Sequence, residues 1–221
     1  MSMSLVPFFT MNFIDLSHLL TEDMPMYPGS DPPDFGSVAT ISDNGYAEKR
    51  LALFSHTGTH MDAPSHILPD GASLDTFPVD RFAGKGCLLD FSSHPGPEIT
   101  QEDIAACRHL VDRSEFVLIH TGWSRYWGTD AYYTRYPVLS VDAAEWITGF
   151  RLKGLGIDAI SVDHPDSSGF PVHRLLLAAS ILIIENLTDL YHLPSHGFLV
   201  TVFPLRILDS DGSPVRAVAM L

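Results

Sequence analysis

Short apolar runs bounded by glycine, proline and aspartate recur along the chain and predict strands over residues 13–16, 50–62, 86–91, 116–121, 156–162, 180–184 and 198–205. Several, such as Ile181-Leu182-Ile183-Ile184, are continuous rather than alternating, the pattern of a sheet buried on both faces. Helical signals are fewer. Thr100 precedes Gln101-Glu102-Asp103, and Ser140 precedes Val141-Asp142-Ala143-Ala144-Glu145. In each, a capping hydroxyl is followed by acids that suit the positive end of a helix dipole. A third helix start is predicted at Leu175-Leu176-Leu177. Strands mixed with capped helices predict an α/β fold. Met24 to Pro33 is too rich in proline for regular structure and reads as an ordered loop.

Composition narrows the class. A chain of 221 residues with 45% hydrophobic content can bury one sizeable core, so we expect a single domain over 13–221 after an N-terminal extension at 1–12. Acidic residues number 27 against 13 basic ones, a formal charge of −14, and no basic run occurs. Nucleic-acid and anionic-membrane partners need clustered Lys and Arg, so neither is expected. The longest apolar stretch, Leu175 to Ile184, is about half of a membrane span. The apolar patch at Leu5 to Phe9 has no basic flank and does not read as a secretory signal. Cys87 and Cys107 form no disulfide framework, and reduced thiols in a cytoplasmic protein are expected.

The densest chemistry is His56-Thr57-Gly58-Thr59-His60-Met61-Asp62-Ala63-Pro64-Ser65-His66, three imidazoles and a carboxylate in one segment. Read as a strand, His56, Gly58, His60 and Asp62 project from one face, with Gly58 leaving room for an ion. Threonines, Gly58 and Pro64 disfavour the helical alternative. Structural zinc usually recruits cysteine, whereas His and carboxylate ligands suit catalytic zinc or manganese with water in an open position. Glu185 ends an apolar strand, where it either reaches solvent or is coordinated, because a buried lone acid is costly. His173 reads either as a capping or surface histidine or as a ligand.

This segment resembles the signature of the cyclase family of metal-dependent hydrolases, which includes bacterial kynurenine formamidase and isatin hydrolase. The resemblance continues through Tyr27-Pro28-Gly29, Thr121-Gly122-Trp123, Asp163-His164-Pro165-Asp166-Ser167, Pro171-Val172-His173-Arg174, Glu185-Asn186-Leu187 and Ser213-Pro214-Val215-Arg216-Ala217, roughly residues 13 to 219. It implies a swivelling β/β/α fold and a homodimer. It also implies one or two ions, Zn or Mn, held by His56, His60, Asp62, His173 and Glu185, with both carboxylates bridging. His66 is implied as the proton donor and acceptor. Tyr27 stands where the family's formamidases usually carry the tryptophan that contacts the substrate, keeping an aromatic surface but changing its size and adding a hydroxyl. Trp123 is read either as pocket wall or as core. His120 and His164 are candidates for supporting the ligands, and His18, His94, His109, His192 and His196 are read as surface or hydrogen-bonded residues.

The implied reaction is metal-assisted hydrolysis of a small aromatic amide, with N-formylkynurenine the leading substrate and a cyclic amide such as isatin the competitor. A relic that keeps ligands without chemistry is the reading from another class, and the presence of His66 argues against it. No Gly-x-Ser-x-Gly elbow supports a serine hydrolase.

Overall fold

The computed structural model describes residues 11–221; the apolar patch at Leu5 to Phe9 and the rest of the expected extension before Met11 lie outside the described residues. Eight strands form one mixed sheet: β1 (Phe13–Asp15), β2 (His60–Asp62), β3 (Ala83–Asp90), β4 (Phe116–His120), β5 (Gly154–Ile157), β6 (Leu182–Glu185), β7 (His196–Pro204) and β8 (Gly212–Met220). Their order is β1-β8-β7-β3-β4-β5-β6-β2, and β8 also pairs with β2, which closes the sheet into a barrel-like ring. The neighbours β3, β4, β5 and β6 run parallel, and the remaining pairs are antiparallel. Parallel neighbours need crossovers, which contain α1 (Gln101–Ala105), α2 (Val141–Thr148) and α3 (Pro171–Ala178).

The continuous apolar strands are buried on both faces because the pleat divides them. Phe116, Leu118, Leu182 and Ile184 join Met61, Phe198, Val200, Ala217 and Ala219 inside the ring. Val117, Ile119, Leu155, Ile157 and Ile183 face outward under Ile104, Ile147, Val172 and Leu176 of the helices. The predicted caps form: Thr100 and Asp103 make a reciprocal capping box, and Ser140 Oγ accepts from the Ala143 amide. The mixed α/β class is as expected.

Several elements differ from the sequence reading. The strand predicted over 50–62 is ordered as sheet only at its last three residues, because Ser55 and His56 turn and Gly58 adopts φ +65°. His56 therefore does not share a strand face with His60. Nor does Gly58 leave room for an ion, since a Cβ there would lie 2.4 Å from Leu20 Cδ2. The third helix starts at Pro171 rather than Leu175, since proline fits the first helical position. Its Val172 and His173 amides donate to the Asp163 carboxylate. Strand β8 went unpredicted, its small and polar residues giving a weak apolar signal.

The strand predicted over 156–162 ends at Ile157 because Asp158 turns its carboxylate to the neighbouring strand end. It accepts from the Thr121 amide at 2.7 Å, the Thr121 hydroxyl at 2.6 Å and the Gly122 amide at 2.8 Å. Burial raises the Asp158 pKa, and these donors oppose the shift. Asp158→Ala strands buried N–H groups and should lower stability by about 2–4 kcal/mol in urea denaturation; an unchanged midpoint would refute that role.

Candidate metal centre

Strands β2 and β6 pair antiparallel with Glu185 opposite His60 and Ile183 opposite Asp62. Their pleat sends Met61 and Ile184 into the ring and turns His60, Asp62 and Glu185 towards the helical layer. There α3 supplies His173, and the 55–56 turn supplies His56. All five ligands implied by the resemblance thus meet, from three separate stretches of chain.

The donor atoms fall into two trios that share Asp62, namely His56, His60, Asp62 and Asp62, His173, Glu185; within each, the atoms lie within 4.8 Å of one another. His60 Nε2 is 3.3 Å from Asp62 Oδ1 and 3.5 Å from Glu185 Oε2. His173 Nε2 is 3.3 Å from Glu185 Oε1 and 3.6 Å from Asp62 Oδ2. His56 Nδ1 is 2.7 Å from Asp62 Oδ1.

Two of the imidazoles are aimed from behind. The Gly58 carbonyl, which can only accept, lies 2.9 Å from His60 Nδ1, so that nitrogen carries a proton and Nε2 is turned towards the carboxylates. Asp163 Oδ2, 2.6 Å from His173 Nδ1, does the same for His173. These supports, rather than His120 or His164, hold the two imidazoles. His120 pairs with Asp90, and His164 lies near Asp166. His18 instead stacks on Trp127 with ring centroids 3.8 Å apart, and burial lowers its pKa to about 4.

The electrostatics fit a cation. Burial works to raise the Asp62 pKa, but the imidazoles around it, His60 foremost, hold it well below the usual carboxylate range. Its Oδ2 is buried without a hydrogen-bond partner. Such an orphan acceptor, inside a donor set of imidazole and carboxylate, is what a divalent ion would satisfy. Burial opposes a charged His56, but the hydrogen bond and charge of Asp62, then Asp211, raise its pKa to about 9. Burial likewise opposes a charged His173, and Asp163 foremost raises it well above the ordinary value.

The cluster opens on a cavity of about 420 Å³ whose wall includes Tyr27, Ile67, Ile160, Phe170 and His66. Tyr27 and Phe170 are both partly exposed at this wall. Trp123 does not line it: its indole N–H donates to the Tyr132 carbonyl, and its ring packs on Tyr126 and the core. A larger groove of about 670 Å³ shares no residue with the cluster. His66, in the turn after β2, has its ring centroid 4.0 Å from that of His56, the two rings tilted by 38°. Burial is the main cause that lowers its pKa.

Sequence reasoning missed Asp211, whose Oδ2 lies 3.1 Å from His56 Nε2 and 3.6 Å from His66 Nδ1. It missed Phe170 as well. The available signal was the Asp211-Gly212 pair just before the Ser213-Pro214 motif. Gly212 is needed for close approach, since a Cβ there would lie 2.5 Å from His56 Cε1.

The family model described as "Putative cyclase" matches residues 14–164. A kynurenine formamidase of Paracidovorax citrulli is 31% identical over 219 residues, covering 92% of this chain and 94% of that protein. Isatin hydrolase A of Labrenzia aggregata, solved with benzyl benzoate, is 26% identical with TM-score 0.86, covering 96% of this chain and 94% of the other. An isatin hydrolase solved with the product analogue thioisatinate has TM-score 0.88 over 96% of this chain and 92% of the other; at 24% identity it attests the shared fold.

Two outcomes follow. The His56 pKa is raised from 6.5 to about 9, so its contribution to the stability of chelator-treated protein is complete below pH 6.5 and lost as pH rises through 9. Ligation needs the same proton removed, so divalent-ion affinity should rise across that interval. Competition with a chromophoric chelator at fixed pH values would measure it, and a flat profile would contradict the assignment. Gly212→Ala, by displacing the His56 ring, should weaken ion binding roughly tenfold; undiminished affinity would place His56 outside the ligand set.

Proposed function

The chain belongs to the cyclase family, and from that membership we propose that it hydrolyses the amide bond of an aryl formamide, N-formylkynurenine being the leading candidate, with one or two zinc or manganese ions. Its relatives make it a metal-dependent amide hydrolase; the substrate, the ion and the residue roles are our reading. One observation carries it: two donor trios share the buried Asp62 carboxylate, and their other members, His56, His60, His173 and Glu185, line a cavity that is also walled by aromatic side chains.

His56, His60, Asp62, His173 and Glu185 would hold the ions, and Asp62 and Glu185 each have two oxygens to offer if two ions bind. Ions held there supply Lewis acidity, lowering the pKa of water towards ~7 and favouring charge on the amide oxygen. Tyr27 and Phe170 hold the aryl ring so that its amide faces the cluster. His66 is neutral near pH 7 because burial lowers its pKa, so it can accept a proton from the attacking water. It then returns that proton to the leaving nitrogen as the carbon–nitrogen bond breaks. One amide and one water yield a carboxylic acid and an amine, and the acid releases its proton at neutral pH.

The second reading is a cyclic amide such as isatin, favoured by the fold likeness to isatin hydrolases and by Tyr27 in place of the formamidases' tryptophan. It requires the same residues and a different fit to the cavity wall. A cytoplasmic location and a homodimer belong to the same proposal. No described helix is long and apolar enough to cross a membrane, and Leu205, Ile207 and Leu208 leave an apolar β7–β8 hairpin tip exposed.

Hydrolysis of N-formylkynurenine and of isatin, assayed before and after chelation, tests the proposal. Chelation-sensitive turnover of the first supports the formamidase reading, turnover of isatin alone supports the second, and turnover indifferent to chelation would reject both. His66→Ala should keep its ions and lose roughly 10²- to 10⁴-fold in kcat, whereas ion loss would make His66 a ligand. Asp62→Asn should lose both turnover and bound ion; near-normal values would remove its bridging role.

A further inference from the structure

Behind the ligands runs a buried hydrogen-bond chain that the reaction does not use directly. The Tyr132 hydroxyl donates to Asn186 Oδ1 at 2.7 Å, and Asn186 Nδ2 donates to the Gly58 carbonyl at 2.8 Å. That is the carbonyl facing His60 Nδ1. The Thr59 hydroxyl fixes the other side by donating to the Asn186 carbonyl at 2.6 Å. Tyr132, Asn186, Thr59 and His60 are all buried, Tyr132 completely. The roles of the Asn186 amide are set by its partners, since a carbonyl can only accept and must face the NH₂ group. Asn186 also directly follows Glu185 and adopts φ +57°, a left-handed conformation that asparagine tolerates better than most residues.

We propose that Tyr132 and Asn186 are positioning residues that set the tautomer and aim of His60 through the Gly58 carbonyl. The inference rests on the metal-centre reading above. With its amide pinned by Tyr132, Asn186 holds the Gly58 carbonyl where His60 Nδ1–H must donate. The His60 Nε2 lone pair is thereby directed at the space between Asp62 and Glu185. The same amide fixes the backbone from which Glu185 leaves β6, so one side chain coordinates two ligands on adjacent strands. The carbonyl accepts two donors at once, and losing the Asn186 donor frees it to rotate away from the imidazole. Tyr132 belongs to the aromatic segment that also holds Trp123, which gives that tryptophan an indirect connection to the site through the Tyr132 carbonyl.

Cobalt(II) binding to the full chain tests this without recourse to turnover. Tyr132→Phe removes only the hydroxyl, and Asn186→Asp keeps shape and backbone tolerance while removing the donor to Gly58. Each should weaken cobalt binding about 10- to 100-fold, as loss of support behind a ligand typically does, and alter the ligand-field absorption bands. Ile104→Ala, a core truncation in α1, which supplies no residue to the cluster or its cavity wall, should bind cobalt with the wild-type affinity and spectrum. Wild-type affinity and bands in both Tyr132→Phe and Asn186→Asp would overturn the proposal. So would a loss no greater than that of Ile104→Ala, which would reduce the chain to ordinary stability. Failure of wild-type protein to take up cobalt would overturn the metal-centre reading first and this inference with it.

Discussion

Burying two carboxylates beside one another is the constraint on which the site depends. Asp62 and Glu185 are almost inaccessible to solvent, and their ion-pair partners among the described residues are imidazoles rather than lysine or arginine. Like charges in a low-dielectric interior repel, and desolvation alone costs several kcal/mol per ion. Protons on the surrounding histidines can offset that cost in the absence of an ion. Divalent cations can offset it better, while restoring the imidazoles to the neutral form that ligation requires. Asp62 foremost raises the His56 pKa, Asp163 and then Asp62 and Glu185 raise that of His173, the imidazoles in turn lower that of Asp62, and Asp62 Oδ2 is left without a hydrogen bond.

The fold serves that constraint through register. Placing Glu185 opposite His60 sets two donors on adjacent strands, and the pleat commits Met61 and Ile184 to the ring interior, so a one-residue slip would bury the wrong side chains. The crossover helix then brings His173 in at its first turn, where Asp163 both caps the helix amides and holds the imidazole. The hairpin between β7 and β8 contributes Asp211 and the close approach of Gly212. Strands supply His60, Asp62 and Glu185, a turn supplies His56 and α3 supplies His173, while loops supply Tyr27, Phe170 and His66 to the cavity wall.

Much of this was legible in the sequence, for physical reasons that differ by element. The apolar runs ending at Glu185 and near His120 are long enough to declare buried strands, and the Thr100 and Ser140 caps carry their own chemistry. The His56 to His66 segment announced its donors through residue type, but its conformation was misread: alternation suggested one strand, whereas Gly58 bends the chain and brings His56 in from a turn. Distant donors such as His173 became convincing only through family resemblance, because nothing local distinguishes them from a capping histidine. Tyr132 was illegible, and Asp211 and Asn186 were marked only by the motifs beside or around them, since the roles of all three exist only once β8, β6 and the aromatic segment are packed against the signature. For Trp123 the strand-end position left pocket wall and core equally open, and the indole packs on the core and donates to the Tyr132 carbonyl.

The central claim is that Asp62 is shared between cations. Anomalous diffraction from crystals grown with manganese tests it most directly. The account predicts manganese peaks on both sides of the Asp62 carboxylate, one beside His56 and His60 and the other beside His173, with one Glu185 oxygen facing each. Manganese confined to His66 and Asp211, or absent from the Asp62 carboxylate altogether, would contradict it.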